Sequence, residues 1–79
     1  MSSKRANERK FKNWEKTESG GRLYSREVKG KIDWYAIYYK EVDSKENTLR
    51  FWQEIYDGTG KLIEIHEKYP TDKGHRKIK

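Results

Sequence analysis

The stretch DWYAIYYKEV, residues 33–42, constrains the fold of this chain most strongly. It places one Trp and three Tyr within six residues. Aromatic and β-branched side chains favour a strand, in which successive side chains point to opposite faces of the sheet. Alternation sends Trp34, Tyr38 and Val42 to one face and Tyr35 and Tyr39 to the other. Both faces of this strand therefore carry aromatic side chains that must pack against another part of the chain or against a partner. One face of a small antiparallel sheet is, by contrast, commonly solvated.

The remainder of the chain is polar: 41% of its 79 residues are charged, 32% are hydrophobic and 14% are aromatic. This length predicts a single domain with a small core, and the aromatic content argues against disorder in the middle. The sequence contains no Cys, which excludes disulfides and thiolate metal sites. It also lacks a long apolar run and a signal-peptide pattern, so we expect a cytoplasmic protein with no membrane partner.

The basic charge is concentrated at the two ends of the chain. Residues 1–22 carry seven basic and three acidic side chains, and residues 70–79 carry four and one. Residues 23–69 are nearly neutral, with eight and nine. Basic ends suit the capture of a polyanion, although lysine-rich ends also serve simply to keep a small protein in solution.

The predicted fold class is α+β, with one N-terminal helix packed on a four-stranded antiparallel β-meander. Residues 1–21 are expected to form a basic helical segment that Ser2 or Ser3 caps and that Gly20-Gly21 ends. Residues 22–70 supply the strands RLYSREV, KIDWYAIYYKEV, TLRFWQEIY and KLIEIHEKY. Residues 71–79, which follow Pro70, are expected to be a basic flexible tail. The helix is expected to dock through Phe11 and Trp14.

Turn chemistry predicts the pairing of the strands. In YDGTGK, a three-residue loop places Gly60 in the left-handed conformation, which sets Tyr56 opposite Leu62 and Gln53 opposite Ile65. The next hairpin is expected to pair Glu41 with Arg50, Tyr39 with Trp52, and Tyr35 with Tyr56. A tight turn at Lys29-Gly30 sets Tyr24 opposite Tyr35.

This register predicts a core face and a second face rich in aromatic side chains. The expected core is Leu23, Ile32, Trp34, Ala36, Tyr38, Val42, Leu49, Phe51, Ile55, Ile63 and Ile65. The second face is interpreted as a platform for RNA or single-stranded DNA, with rings for base stacking and cations for phosphates. Its predicted binding residues are Tyr24, Arg26, Tyr35, Tyr39, Arg50, Trp52, Tyr56 and Lys68. Glu54 and Glu64 on the same face disfavour a polyanion.

Two other interpretations use the same second face. In one, its aromatic pairs only stabilise the sheet, because Tyr and Trp are good strand formers. In the other, the face forms a homodimer or a protein interface, where Tyr, Trp and Arg are enriched.

Catalysis is a further alternative. A small metal-independent ribonuclease would use His66 and His75 as acid and base, with His75 expected in the mobile tail. No pattern predicts a metal site or a cofactor. GTGK is a hairpin turn between two strands and not a phosphate loop that opens a helix.

Overall fold

The computed structural model of the protein describes residues 4–72 and 74–77, with Arg76 described by its backbone alone. One helix precedes six strands: α1 Lys4–Lys10, β1 Asn13–Lys16, β2 Arg22–Lys29, β3 Tyr35–Val42, β4 Thr48–Tyr56, β5 Leu62–Tyr69 and β6 Gly74–Lys77. The strands form one antiparallel sheet in chain order, β1 to β6. The prediction of a four-stranded meander is therefore wrong, because one additional strand lies at each edge. No helix within residues 4–72 and 74–77 is long and apolar enough to cross a membrane.

Three of the connections share one turn geometry. Each turn has five residues. The N–H of its first residue donates to the carbonyl of its fifth residue, and the N–H of its fourth residue donates to the carbonyl of its first. These turns span residues 17–21, 43–47 and 57–61. The fourth residue is left-handed in all three: Gly20 (φ 87°), Glu46 (φ 66°) and Gly60 (φ 85°). The prediction for Gly60 is confirmed, and the same geometry recurs where it was not expected.

The first of these turns replaces the second half of the predicted helix. Helix α1 ends at Lys10, and residues 13–16 pair with β2 instead. Thr17 Oγ1 accepts a hydrogen bond from the Gly21 N–H, which closes the turn. A Cβ at Gly21 would lie 1.9 Å from the carbonyl oxygen of Val42, so only glycine lets the two backbones approach this closely. The predicted cap at Ser2 or Ser3 lies outside the described residues.

The predicted flexible tail contains the last strand. Strand β6 pairs with β5, and this pairing sets His75 opposite His66 and Lys77 opposite Glu64. Asp72 Oδ1 accepts a hydrogen bond from the Gly74 N–H in the connection. Among the described residues of the predicted tail, strand structure at 74–77 therefore replaces the expected flexible segment.

The predicted register is correct in the centre of the sheet and wrong on both sides of it. The pairs Glu41–Arg50, Tyr39–Trp52 and Tyr35–Tyr56 are confirmed. Tyr24, however, lies opposite Lys40 and not opposite Tyr35, because a longer connection at residues 30–34 replaces the tight turn. The partner of Tyr24 is thus five positions further along β3 than predicted. Because five is an odd number of residues, every side chain of β2 lies on the face opposite to the predicted one.

Strand β5 is shifted by a bulge. Tyr56 lies opposite Leu62 as predicted, but the pairing slips by one residue between Ile55 and Tyr56. Gln53 consequently lies opposite His66 and not opposite Ile65. A bulge inserts one unpaired residue into one strand, so the residues that follow it exchange faces. A second shift, between Phe51 and Trp52, sets Tyr69 opposite Phe51.

The core lies between α1 and one face of the sheet. Phe11 directly follows α1 and is 2% exposed, with its ring centroid 5.8 Å from Tyr24 and 6.5 Å from Phe51. Tyr24 and Val42 are fully buried. The predicted docking through Phe11 and Trp14 is correct for Phe11, which lies just beyond α1, and wrong for Trp14. The predicted core is also wrong at several positions, with Ile32 93% exposed in a connection. Trp14 is 42% exposed in β1.

A buried amide fixes α1 to the sheet. Asn7 is 2% exposed, and its Nδ2 donates to Glu46 Oε2 while its Oδ1 accepts from Lys40 Nζ. The Tyr24 hydroxyl donates to the same Glu46 carboxylate, at 3.0 Å from Oε2. Buried polar groups that are fully hydrogen-bonded favour one orientation of the packed elements. This network determines which face of the sheet the helix covers.

Candidate functional site

The two faces of the sheet are defined by the register and by side-chain contacts. The helix-side face is the one against which α1 packs, and it carries Tyr24, Arg26, Tyr38, Lys40, Phe51, Gln53, His66, Lys68 and His75. The aromatic face is the opposite one, and it carries Tyr35, Ile37, Tyr39, Arg50, Trp52, Glu54, Tyr56, Leu62 and Ile65.

On the aromatic face, the rings stack on one another across β3 and β4. The Tyr39 and Trp52 centroids are 5.0 Å apart with planes inclined by 16°, and those of Tyr35 and Tyr56 are 5.2 Å apart at 11°. The Arg50 guanidinium lies 4.0 Å from the Trp52 ring centroid. Trp52 is only 9% exposed as a result. Ring surface that is stacked within the protein is not accessible to a base.

Glu54 is the polar centre of the aromatic face. Its carboxylate accepts hydrogen bonds from Trp52 Nε1, at 3.0 Å, and from the Tyr56 hydroxyl. The hydrogen bond to Glu54, followed by burial, raises the pKa of Tyr56 far above its ordinary value. Burial, followed by the Glu54 and Glu15 carboxylates, raises the pKa of Tyr39. Carboxylates contribute to both shifts, although burial is the larger cause for Tyr39.

The register also determines the charge of this face. Among the described side chains, the aromatic face carries the carboxylates of Glu15, Glu27, Glu41, Glu54 and Glu67. Its described cations are Lys29 and Arg50. Arg50 Nε lies 2.9 Å and 3.0 Å from the two oxygens of Glu67, so this guanidinium is already neutralised. The aromatic face is therefore acidic.

The helix-side face has the opposite character. The register places six cations on this face: Lys16, Arg22, Arg26, Lys40, Lys68 and Lys77. Among the described strand residues on this face, the carboxylate is that of Glu64. Burial, followed by the nearby Lys10 ammonium, lowers the pKa of Lys40. Among the described strands, cations therefore predominate on the helix-side face, where Glu8 pairs with Arg22 at 2.7 Å and Glu46 lies near Lys40, and carboxylates predominate on the other face.

Directly opposite residues on five strands form a row across the helix-side face. We call it the polar row: Arg26, Tyr38, Gln53, His66 and His75, from β2 to β6. The Arg26 guanidinium lies 5.7 Å from the Tyr38 ring centroid, and Gln53 Nε2 donates to the Tyr38 hydroxyl at 3.1 Å. With strands about 4.8 Å apart, the row spans about 19 Å. Phe11, which directly follows α1, packs beside this row on Tyr24 and Phe51.

The polar row ends in the two histidines of the chain. The ring centroids of His66 and His75 are 4.3 Å apart, with planes inclined by 47°. His66 Nε2 lies 2.7 Å from Asp72 Oδ1, and His75 Nδ1 lies 3.4 Å from Glu64 Oε1. The Gly74 N–H, followed by His66, lowers the pKa of Asp72, which favours its ionised form. Each imidazole therefore has a carboxylate that orients it.

Three lysine side chains lie near the polar row or near the end of α1. Lys68 Nζ lies 5.0 Å from the Tyr38 ring centroid and 5.6 Å from that of Phe51. Beyond Phe51, an open cleft of about 650 Å³ contains the side chains of Lys10, Lys40 and Tyr69. Tyr38 and Phe51 are half-buried and stack on each other with centroids 6.3 Å apart, whereas Tyr69 is 46% exposed beside the cleft. Cations beside rings that retain accessible surface are suited to the phosphates and bases of a single strand.

The eight predicted binding residues divide between the two faces. Tyr35, Tyr39, Arg50, Trp52 and Tyr56 lie together on the aromatic face. Arg26 and Lys68 lie on the helix-side face, and Tyr24 is buried there against Phe11. The structure brings His66 and His75 together, although the sequence interpretation placed them in separate segments. Tyr38 and Gln53 were not among the predicted site residues, since only the true register aligns them with Arg26 and His66.

Among the residues that the structure describes, no three His, Cys, Asp or Glu side chains are grouped as metal ligands. Comparison of the chain with protein-family models, curated proteins and solved structures gives no match. The interpretation of the site therefore depends on its own geometry and charge.

Proposed function

We propose that this protein is a small cytoplasmic accessory protein that binds RNA or single-stranded DNA through the helix-side face. The observation that carries the proposal is the separation of charge between the two faces. A phosphate backbone is attracted to a surface of clustered cations and repelled by carboxylates. The cations of the helix-side face supply the attraction, and the glutamates of the aromatic face disfavour the opposite orientation.

Aromatic side chains on the helix-side face support a single strand as the ligand. Tyr38 lies between Arg26 and Lys68, and Phe51 and Tyr69 border the cleft beside α1. Stacking of one base on an aromatic ring contributes about 1–3 kcal/mol, and it requires unpaired bases. A row of about 19 Å is comparable with sheets on which two or three bases stack.

The proposal moves the binding surface from the face expected from the sequence to the opposite one. Tyr39, Trp52, Tyr35 and Tyr56 stack with one another, and the carboxylate of Glu54 lies between the two pairs. These contacts support the interpretation that this aromatic patch stabilises the sheet.

The experiment compares two double variants that remove the same charge from opposite faces. Arg26→Gln with Lys68→Gln acts on the helix-side face, and Lys29→Gln with Arg50→Gln is the matched control on the aromatic face. Binding of a fluorescent single-stranded RNA is measured by anisotropy at several salt concentrations, and circular dichroism confirms that each variant is folded. Because two phosphate contacts are lost, the salt slope of the helix-side variant is expected to fall by about 1.4, with affinity at least about tenfold weaker at low salt.

The control variant is expected to bind within about twofold of the wild type. Equal losses in the two variants would place the contact elsewhere and overturn the proposed face. An absence of binding by the wild-type protein at low salt would overturn nucleic-acid binding altogether.

A second candidate is a homodimeric or other protein interface on the aromatic face. The half-buried apolar side chains of Ile37, Leu62 and Ile65 beside the stacked rings favour it. Against two identical faces meeting, each copy would bring the carboxylate of Glu54 to the contact. Sedimentation distinguishes these outcomes, since a mass that stays at 9.6 kDa across concentrations excludes the homodimer.

A further inference from the structure

We propose that the His66–His75 pair cleaves bound RNA by metal-independent transphosphorylation. This inference rests on the proposed binding function and adds a reaction to it. Acid–base cleavage of RNA requires two groups that exchange protons near neutral pH, placed within reach of one phosphodiester. Imidazole is the side chain that typically supplies such groups, and the rings of His66 and His75 lie side by side on adjacent strands of the cationic face.

In each ring, one nitrogen contacts a carboxylate, and the other nitrogen is the one assigned to the substrate. His66 contacts Asp72 through Nε2, which assigns its Nδ1 to the reaction. His75 contacts Glu64 through Nδ1, which assigns its Nε2. A carboxylate on one ring nitrogen sets the orientation of an imidazole and stabilises its protonated form. Asp72 and Glu64 are therefore positioning residues in this proposal.

The reaction is balanced without any cofactor. The neutral imidazole accepts the proton of the ribose 2′-hydroxyl, and the 2′-oxygen attacks phosphorus to form a P–O2′ bond. The P–O5′ bond breaks, and the leaving 5′-oxygen takes a proton from the imidazolium of the other histidine. The products are a 2′,3′-cyclic phosphate and a free 5′-hydroxyl. No atom is oxidised or reduced, and no metal takes part.

The surroundings of the pair suit the charge that develops at phosphorus. Gln53, opposite His66 in the polar row, and Lys68, two residues along β5, lie on the same face as the two rings. Strand β6 contributes Lys77, which lies opposite Glu64, as a cation on this face. Fixed donors and cations at the position of developing negative charge stabilise the transition state. A phosphate above the two rings would lie close to the Lys68 ammonium, on the side of the rings that is nearer to α1.

The test uses two labelled oligonucleotides of one sequence in the presence of a chelator. One contains a single ribonucleotide in an otherwise deoxy strand, and the other is entirely deoxy. The wild-type protein is expected to cut the first at its ribonucleotide, to leave a 2′,3′-cyclic phosphate that mass spectrometry identifies, and to bind the second without cutting it.

The single variants His66→Gln and His75→Gln are each expected to lose at least about 100-fold in cleavage rate, because general acid or base catalysis contributes that much. Circular dichroism confirms that both variants are folded, and the rates are compared at saturating protein, so that a change in affinity for the strand does not enter them. Both are purified as the wild type is, so a contaminating nuclease would cleave equally in all three samples. The wild-type rate is expected to be bell-shaped in pH, because one neutral and one protonated imidazole are required at once.

Three outcomes would overturn the inference: no cleavage by a wild-type protein that binds, cleavage by both variants at the wild-type rate, or cleavage that the chelator abolishes. The first of these leaves the proposed binding function intact. Failure to bind the all-deoxy strand at low salt would instead remove the binding function on which the inference rests. The two failures are thereby distinguished within one set of samples.

Discussion

The two faces of the sheet both carry aromatic side chains but use them differently. On the helix-side face, Phe11 closes over Tyr24 and Val42 and produces a small buried core. On the aromatic face, the pairs Tyr39–Trp52 and Tyr35–Tyr56 stack across the strands without a second layer above them. Stacking within one sheet can therefore bury most of a ring, and an aromatic face is not by itself a binding surface.

Charge distinguishes the faces more sharply than ring content does. On the aromatic face, carboxylates contribute to the raised pKa of Tyr39 and Tyr56, after burial in one and through a direct hydrogen bond in the other. On the helix-side face, burial and the Lys10 ammonium lower the pKa of Lys40. The two faces thus differ in the sign of the charges that predominate on them, and we expect a polyanion to prefer the helix-side face.

The largest effect is expected from the helix-side core. Phe11→Ala removes a 2% exposed ring that contacts Tyr24 and Phe51, so the free energy of unfolding should fall by about 3–4 kcal/mol. Tyr35→Ala on the aromatic face should cost only about 1–2 kcal/mol, because that ring is half-buried. Urea denaturation followed by circular dichroism measures both.

Ile32→Ala, at a 93% exposed position, is the control and should change stability by less than about 0.5 kcal/mol. If Tyr35→Ala cost as much as Phe11→Ala, the two faces would contribute equally and the comparison would fail.

An intermediate effect is expected from the stacked pair of the aromatic face. In a double-mutant cycle on Tyr39→Ala and Trp52→Ala, the coupling free energy should be about 0.5–1.5 kcal/mol, because the rings stack directly. The matched cycle on Tyr39→Ala and Tyr35→Ala, two residues of β3 that do not form a stacked pair with each other, should give a smaller value. A coupling near zero for Tyr39 and Trp52 would mean that the rings do not stabilise the sheet.

The smallest effect is expected at the acidic centre of the aromatic face. Glu54→Gln should lower the pKa of Tyr56 towards the ordinary value of 10.0, because the carboxylate that holds the hydroxyl proton is removed. Tyr24, whose pKa is raised first by burial on the other face, should not change. Nuclear magnetic resonance of Cζ-labelled tyrosine measures both titrations.

The sign of the stability effect follows from this raised pKa. The Tyr56–Glu54 interaction stabilises the fold fully below pH 10.0, the ordinary pKa, and is lost as the pH rises through the higher folded value. Glu54→Gln should therefore weaken the pH dependence of stability in the alkaline range. An unchanged Tyr56 titration would show that Glu54 does not govern this site.

The turn between β4 and β5 and the pairing of β3 with β4 were predictable because their signals are local. Gly60 demands a left-handed position, and the three cross-strand pairs of β3 with β4 are favourable in themselves. The first turn was missed although TESGG carries a similar signal, a side-chain acceptor at Thr17 and a left-handed Gly20. Strand β6 was missed because its four residues, GHRK, carry no apolar alternation. Its position depends on pairing with β5, which is a tertiary interaction.

The sequence by itself determined the central strands, the left-handed turn at Gly60 and the pairing of Tyr39 with Trp52. The tertiary structure alone decided which side chains share a face. Since side chains alternate along a strand, one long connection before β3 and one bulge in β5 exchanged the faces of two strands. That exchange separates the cations from the carboxylates and aligns Arg26, Tyr38 and Gln53 with the two histidines. Local patterns do not record it, because the side chains that share a face come from strands distant in sequence, and Phe11 and Asn7 are buried against only one of the two faces.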